Sequence, residues 1–96
     1  MLVKKKRKYK RHKDYYDIDL HGCDCDEAIQ KLENYIENNA FFENKNKVYI
    51  NHGKGTGKLA KAVANFLKNC KFVSKFEYAP FYQGGSGIII AYLNYD

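Results

Sequence analysis

Residues 48–57, VYINHGKGTG, constrain this chain more than any other stretch. Val48 and Ile50 alternate with Tyr49 and Asn51, the period-two pattern of a half-buried strand. Gly53, Gly55 and Gly57 then interrupt it, and residues without a Cβ let a backbone turn tightly and approach a ligand closely. An apolar pattern of helical spacing opens at Leu59, with Thr56 as the expected N-cap. A strand entering a glycine loop that opens a helix leaves backbone N–H groups facing the loop, which suits an anion. The expected phosphate contacts are Gly53, Lys54, Gly55, Thr56, Gly57 and Lys58, with Lys61 one turn on and His52 at the edge as acid or base. An ordinary strand-to-helix turn that binds nothing fits the same spacing. The loop is not a Walker motif, because three residues rather than four separate Gly53 from Gly57-Lys58, and Leu59 follows. The GxGxxG dinucleotide spacing is not met either, since Lys58 stands where its last glycine belongs.

The chain has 96 residues, which bounds it to one small domain. Nine Tyr and six Phe within a 45% hydrophobic composition are ample for a core. No run approaches the ~18–20 apolar residues of a membrane span, and no apolar signal-peptide core follows the basic start. A cytoplasmic protein without membrane contact is expected. Three cysteines, Cys23, Cys25 and Cys70, make an odd number without a stapling framework, so reduced thiols are the default.

The net charge of +6 is unevenly placed. Residues 1–13 hold Lys4, Lys5, Lys6, Arg7, Lys8, Lys10, Arg11 and Lys13 and no acid; the rest has nine basic and eleven acidic residues, a net of −2. The basic arm reads as a linker or solvated tail, and it suits a polyanion through counterion release. Tyr9 within it could stack on a base.

Residues 15–21 alternate again, with Tyr16, Ile18 and Leu20 facing one way and Asp17, Asp19 and His21 the other. Asp19 and His21 share a side, where a carboxylate can orient an imidazole; an ordinary polar strand face has the same pattern. Asp24 with Glu27 forms a capping box for a helix over 26–39, whose inner stripe is Ala28, Leu32, Tyr35, Ile36 and Asn39. His21 with Cys23 and Cys25 lacks the ligand count and spacing of a metal site. A loop is expected over 41–46. The second helix presents Leu59, Val63, Phe66, Leu67 and Cys70 inward and Lys58, Lys61 and Lys68 outward. Residues 72–79 read as a third strand, with Phe76 and Tyr78 on one face, ended by Pro80. Residues 81–87 read as a flexible loop and 88–93 as a buried strand.

The expected fold class is an α/β two-layer sandwich of order β-α-β-α-β-β. Its sheet is four-stranded and mixed, mostly parallel with a last strand that can return antiparallel through the 81–87 loop, with both helices on one face because crossovers are right-handed and with the other face partly open. If the first two strands are parallel, His21 and His52 emerge together at the carboxyl edge, where open α/β sheets bind ligands.

Asp19-Leu20-His21-Gly22, His52-Gly53-Lys54-Gly55-Thr56-Gly57 about thirty residues later, and Gly84-Gly85-Ser86-Gly87 near the end together resemble the small MutS-related (Smr) domain. The resemblance covers roughly residues 17–93, giving a basic arm over 1–13 and an Smr-like domain over 14–96. It implies a fold similar to the C-terminal domain of translation initiation factor three. It also implies endonuclease activity: nicking of DNA, particularly branched DNA in repair and recombination, or cleavage of messenger RNA at stalled ribosomes. A domain following a basic linker is similar to the tail of second-type bacterial MutS paralogues, which implies attachment to a larger MutS-like chain. Many of those paralogues carry Arg where this chain has His21, and the family often has Arg where it has Ala60.

On this reading Gly53–Gly57 and Lys54, joined by Gly84 and Gly85, hold the phosphate, and Asp19, His21 and His52 are the catalytic candidates. Asp19 either orients His21 or helps to bind magnesium or manganese that activates water. An RNA substrate could instead be cut through its ribose hydroxyl without metal. The alternative is a module that grips nucleic acid or a ribosomal surface and cuts nothing.

Overall fold

A computed structural model describes residues 16–96, so the basic arm and Tyr15 lie outside the described residues. The elements run β1 (Ile18–Asp19), α1 (Cys25–Asn34), a π-helical turn (Tyr35–Ala40), β2 (Lys47–Asn51), α2 (Lys58–Asn69), β3 (Val73–Tyr78) and β4 (Ile88–Leu93). Two short 3-10 turns, Phe81–Gln83 and Gly85–Gly87, lie between the last two strands.

The four strands form one mixed sheet in the order β1-β2-β4-β3. β1 pairs with β2 in parallel, Ile18 opposite Ile50 and Asp19 opposite Asn51. β4 runs antiparallel to both of its neighbours, β2 and β3. Three strands therefore share a direction, but only one ladder is parallel. The sheet is mixed with an antiparallel last strand, as expected; the order is what differs, because β4 inserts between β2 and β3 and separates them.

Both helices cover one face. Val48 and Ile50 from β2 and Ile89 and Ala91 from β4 meet Ala28, Leu32 and Ile36 from the first helical segment and Val63 and Leu67 from α2. Burying each larger aliphatic side chain here stabilises the fold by about 1.5–3 kcal/mol. The first helix is capped as its sequence demands: Glu27 N–H donates to Asp24 Oδ1 at 2.9 Å. It then loosens into the π-helical turn and stays helical through Phe42, into the expected loop. A π turn adds one residue per turn, so Ala40, not Asn39, takes the inner position after Ile36.

The opposite face carries a smaller cluster of Ala79, Ile88 and Ile90 with Tyr16, Tyr49 and Tyr92 against it. Alternation puts Tyr16 beside Ile18 and Leu20, but it packs on the other side. Regular pairing begins only at Ile18, and the alternation does not extend upstream. Lys47 reaches over Tyr49 and Tyr92 at 5.6 and 5.9 Å, and Lys75 over Tyr92 at 5.0 Å, so cationic stems and tyrosine rings shield this face.

Candidate phosphodiester site

The parallel pairing of β1 and β2 brings the ends of both strands to one edge, and the chain turns there twice. Leu20 N–H donates to Asn51 O at 2.7 Å, carrying the pairing one residue past β1 and setting His21 beside the start of the glycine loop. The approach is close: a Cβ on Gly53 would lie 3.1 Å from His21 Cβ. Gly53 also has φ 79°, so this position needs glycine for its conformation as well as for space.

Asp19 and His21 form a tight pair. His21 Nδ1 lies 2.6 Å from Asp19 Oδ1, which also accepts from His21 N–H at 3.2 Å and Asn51 Nδ2 at 3.1 Å. Burial pushes the Asp19 carboxyl up, but the hydrogen bonds and charge of His21, with Asn51, outweigh it and hold the group below its usual value. An ionised Asp19 fixes the proton on His21 Nδ1 and leaves Nε2 as an acceptor. The His21 side chain is 63% exposed, and the residue lines the cleft between the two turns.

His52 stands differently. The sequence makes it a second imidazole flanking the phosphate. It ends β2 on the same edge, but the residue is only 4% exposed. Its Nδ1 is 2.7 Å from Gly53 O, an atom that only accepts, so Nδ1 carries the proton. Nε2 is buried without a hydrogen-bond partner. Burial holds the His52 pKa below its usual value against the opposing pull of Gly53 O. The geometry thus offers one solvent-facing imidazole, on His21, and one neutral imidazole packed beneath the loop, with Tyr78 edge-on at 6.1 Å between ring centroids.

The glycine loop is pinned at its start. His52 N–H and Gly53 N–H donate to Gly87 O at 3.0 and 3.1 Å, and Gly53 N–H also meets Asn51 Oδ1 at 3.1 Å. The helix it opens is capped by Gly57 in the left-handed region at φ 93°, not by Thr56. Thr56 Oγ1 still accepts from Lys58 N–H at 3.3 Å. The first intrahelical bond runs from Lys61 N–H to Gly57 O, so the Leu59 and Ala60 N–H groups before it have no intrahelical acceptor, while Lys58 N–H is taken by Thr56.

A cleft of about 490 Å³ opens between these parts, lined by residues 21–25, Asp24 included, from one turn and by residues 52–60 from the other. Lys54, Gly55, Thr56, Gly57 and Lys58 all contribute, as expected. Lys61, Gly84 and Gly85 do not; Gly84 packs against Ile88 instead. Gly87 is the member of the late glycine group nearest the loop, a Cβ there falling 3.4 Å from the Lys54 side chain. Residue patterns do not single out Asn51 or Gly87. Asn51 bridges Asp19 to Gly53, and its position opposite Asp19 follows from strand register, which local alternation does not reveal.

A resident divalent metal finds little here. Asp19 Oδ1 is already taken by three donors, and among the described residues no three His, Cys, Asp or Glu side chains gather where they could hold an ion. The side chains present do not form a metal site of their own. Among the described residues no helix is long and apolar enough to cross a membrane.

Comparison with known proteins agrees with this geometry. The family model described as the Smr domain matches residues 18–94. The chain is 40% identical over 92 residues to endonuclease MutS2 of Streptococcus thermophilus, covering 96% of this chain and 12% of that protein. It is 42% identical over 77 residues to endonuclease MutS2 of Carboxydothermus hydrogenoformans, covering 80% and 10% respectively. The chain therefore spans only about a tenth of the length of these relatives. Among solved structures, the Smr domain of Thermus thermophilus MutS2 superposes with a TM-score of 0.76 at 33% identity, covering 79% of this chain and 94% of that one. YdaL, a stand-alone small MutS-related protein from Escherichia coli, gives 0.67 at 26% identity, covering 78% and 61%. With the strand-end histidines, the glycine loop and the sheet order all in place, the chain belongs to the Smr domain family.

Proposed function

We propose that the cleft seats a nucleic-acid phosphodiester and cleaves it, with His21 as the base and Asp19 as the carboxylate that orients it. The observation that carries this is the 2.6 Å contact between Asp19 and the Nδ1 of an exposed imidazole beside a glycine loop that opens a helix. The loop amides and Lys54 hold the phosphate and stabilise charge growing on its oxygens. His21 Nε2 takes the proton of the attacking oxygen, from water or from a ribose hydroxyl in RNA. Asp19 stabilises the imidazolium that results. The P–O bond to the leaving oxygen breaks, and that oxygen is protonated at the open mouth. His52 acts by position: its Nδ1–H holds Gly53 O and so shapes the loop. Magnesium or manganese, if used, would be held mainly by the substrate with Asp19 assisting, and no step above is routed through it.

The name of the MutS2 relatives, endonuclease, supports cleavage, and nicking of DNA, branched DNA included, is the activity we assign first. RNA, including RNA on stalled ribosomes, is the second substrate class. A non-catalytic nucleic-acid or ribosome-binding module is the rival reading, favoured by a cleft to which the described residues bring one solvent-facing imidazole, that of His21. Supercoiled plasmid and a labelled RNA, incubated with and without manganese, separate the two. The wild-type chain should nick or cut, and His21→Ala should not. Equal recovery of intact substrate from both proteins would leave the binding module standing.

A further inference from the structure

The chain between β3 and β4 leaves the edge of the cleft and returns to it. Tyr78, at the end of β3, lies against His52, and Gly87, just before β4, accepts the N–H groups of His52 and Gly53. The segment between them is not the flexible loop expected from its glycines. Gln83 N–H and Gly85 N–H donate to Pro80 O at 2.8 and 3.0 Å, and Gly84 N–H donates to Phe81 O at 3.2 Å. Gly84 sits at φ 114° hard against Ile88. This closed turn holds two aromatic rings out in solvent: Phe81 is 93% exposed and Tyr82 is 63% exposed. Phe81 is the most exposed large hydrophobic side chain among the described residues. Among those residues neither ring pairs with another aromatic, whereas exposed Phe42 is edge-on to Phe41, which packs on Tyr95.

Resting on the phosphodiester reading of the cleft, we propose that Phe81 and Tyr82 form a stacking platform for an unpaired nucleobase next to the bound phosphate. The occupant follows from the cleft to which both ends of this turn are tied, through Tyr78 against His52 and Gly87 O on the His52 and Gly53 amides. Lys54 and Lys58 line the cleft against the one carboxylate of Asp24, so its lining favours an anionic ligand. A strand whose phosphate sits in the glycine loop carries a flat apolar base within one nucleotide of that point. Base–aromatic stacking is tolerant of sequence and contributes about 1–3 kcal/mol per base. Bases inside a duplex already stack on their neighbours and offer no free face, so the platform selects single strands, gaps and branch points over intact duplex. The rings act as specificity determinants, and the chemistry at His21 does not require them.

The test uses the full chain and oligonucleotides carrying 2-aminopurine, whose fluorescence reports stacking; the protein has no tryptophan to interfere. Binding is measured for a single strand and for the same sequence as a duplex, with wild type, Phe81→Ala, Tyr82→Ala, Phe81→Tyr and Lys54→Ala. The expected result is single-strand affinity reduced roughly 5- to 150-fold in the two ring-to-alanine variants, by the stacking energy above, with duplex affinity unchanged. Phe81→Tyr, which keeps a ring, should bind as wild type, and Lys54→Ala should weaken both forms. Unchanged single-strand affinity in Phe81→Ala and Tyr82→Ala, or an equal loss on duplex, overturns the platform; if Lys54→Ala is still weakened, the phosphate site survives that failure. Wild-type protein that binds neither form overturns both.

Discussion

His21 and Asp19 are worth little apart. An exposed imidazole alone samples many orientations, and the 2.6 Å contact with Asp19 fixes one of them and the tautomer with it. Removing the base with His21→Ala should lower the cleavage rate by about 10²–10⁴-fold, the usual share of general acid–base catalysis. Asp19→Asn should lower it too, since an amide no longer favours the imidazolium; initial-rate assays on one labelled substrate check both. His52 makes a different prediction, about stability. Its folded pKa lies below the ordinary 6.5, so in mild acid the unfolded chain takes up its proton first. Its contribution is full above about pH 6.5 and is lost as pH falls through the lower folded value. Thermal midpoints measured from pH 8 to 5 should fall in the wild type and fall less in His52→Asn. A residue pattern could place this histidine at the end of a strand. It could not show the ring packed inward, because burial there depends on Tyr78 and Gly87 arriving from distant parts of the chain.

Periodicity reported the elements well where one face is dry. β2 and β4 lie where alternation and an apolar run put them, and α2 begins one residue before Leu59. Legibility failed where backbone geometry departs from the ideal. The π-helical turn over Tyr35–Ala40 shifts the buried position from Asn39 to Ala40, and no propensity encodes that extra residue. Sheet order was hidden for a similar reason: β4 enters between β2 and β3 through long-range pairing that no local pattern records. The glycines of the two loops differ in a way only the fold reveals. At Gly57, φ 93°, a Cβ would meet nothing within 4 Å, so Gly57→Ala bears only the left-handed strain of about 1–2 kcal/mol. At Gly84, φ 114°, a Cβ would lie 2.5 Å from Ile88 Cδ1 and 3.3 Å from its Cβ, so side-chain rotation alone does not relieve it. Crowding adds a typical penalty of about 1–3 kcal/mol there. Urea denaturation should therefore rank Gly84→Ala clearly below Gly57→Ala, which in turn lies below wild type.

Across the whole molecule, charge and shape divide the work. Residues 14–96 net −2, yet the cleft gathers Lys54 and Lys58 against first-turn amides, while eight basic residues precede the domain. Removing residues 1–13 should weaken nucleic-acid binding and flatten its dependence on salt, by about 0.7–0.9 in the logarithmic slope for each phosphate that the arm no longer neutralises. Titrations at several salt concentrations measure it. The two-layer architecture was legible from the order of the patterns, and the paired histidine and glycine motifs do meet at one edge of the sheet. What they left undefined was how the two imidazoles differ in exposure. The most direct test is to follow the backbone amide resonances of the isotopically labelled chain while a short phosphodiester oligonucleotide is added. Binding in the cleft shifts the amides of His21 and of residues 53–60. Saturable binding that leaves those signals in place and moves only another surface would contradict it.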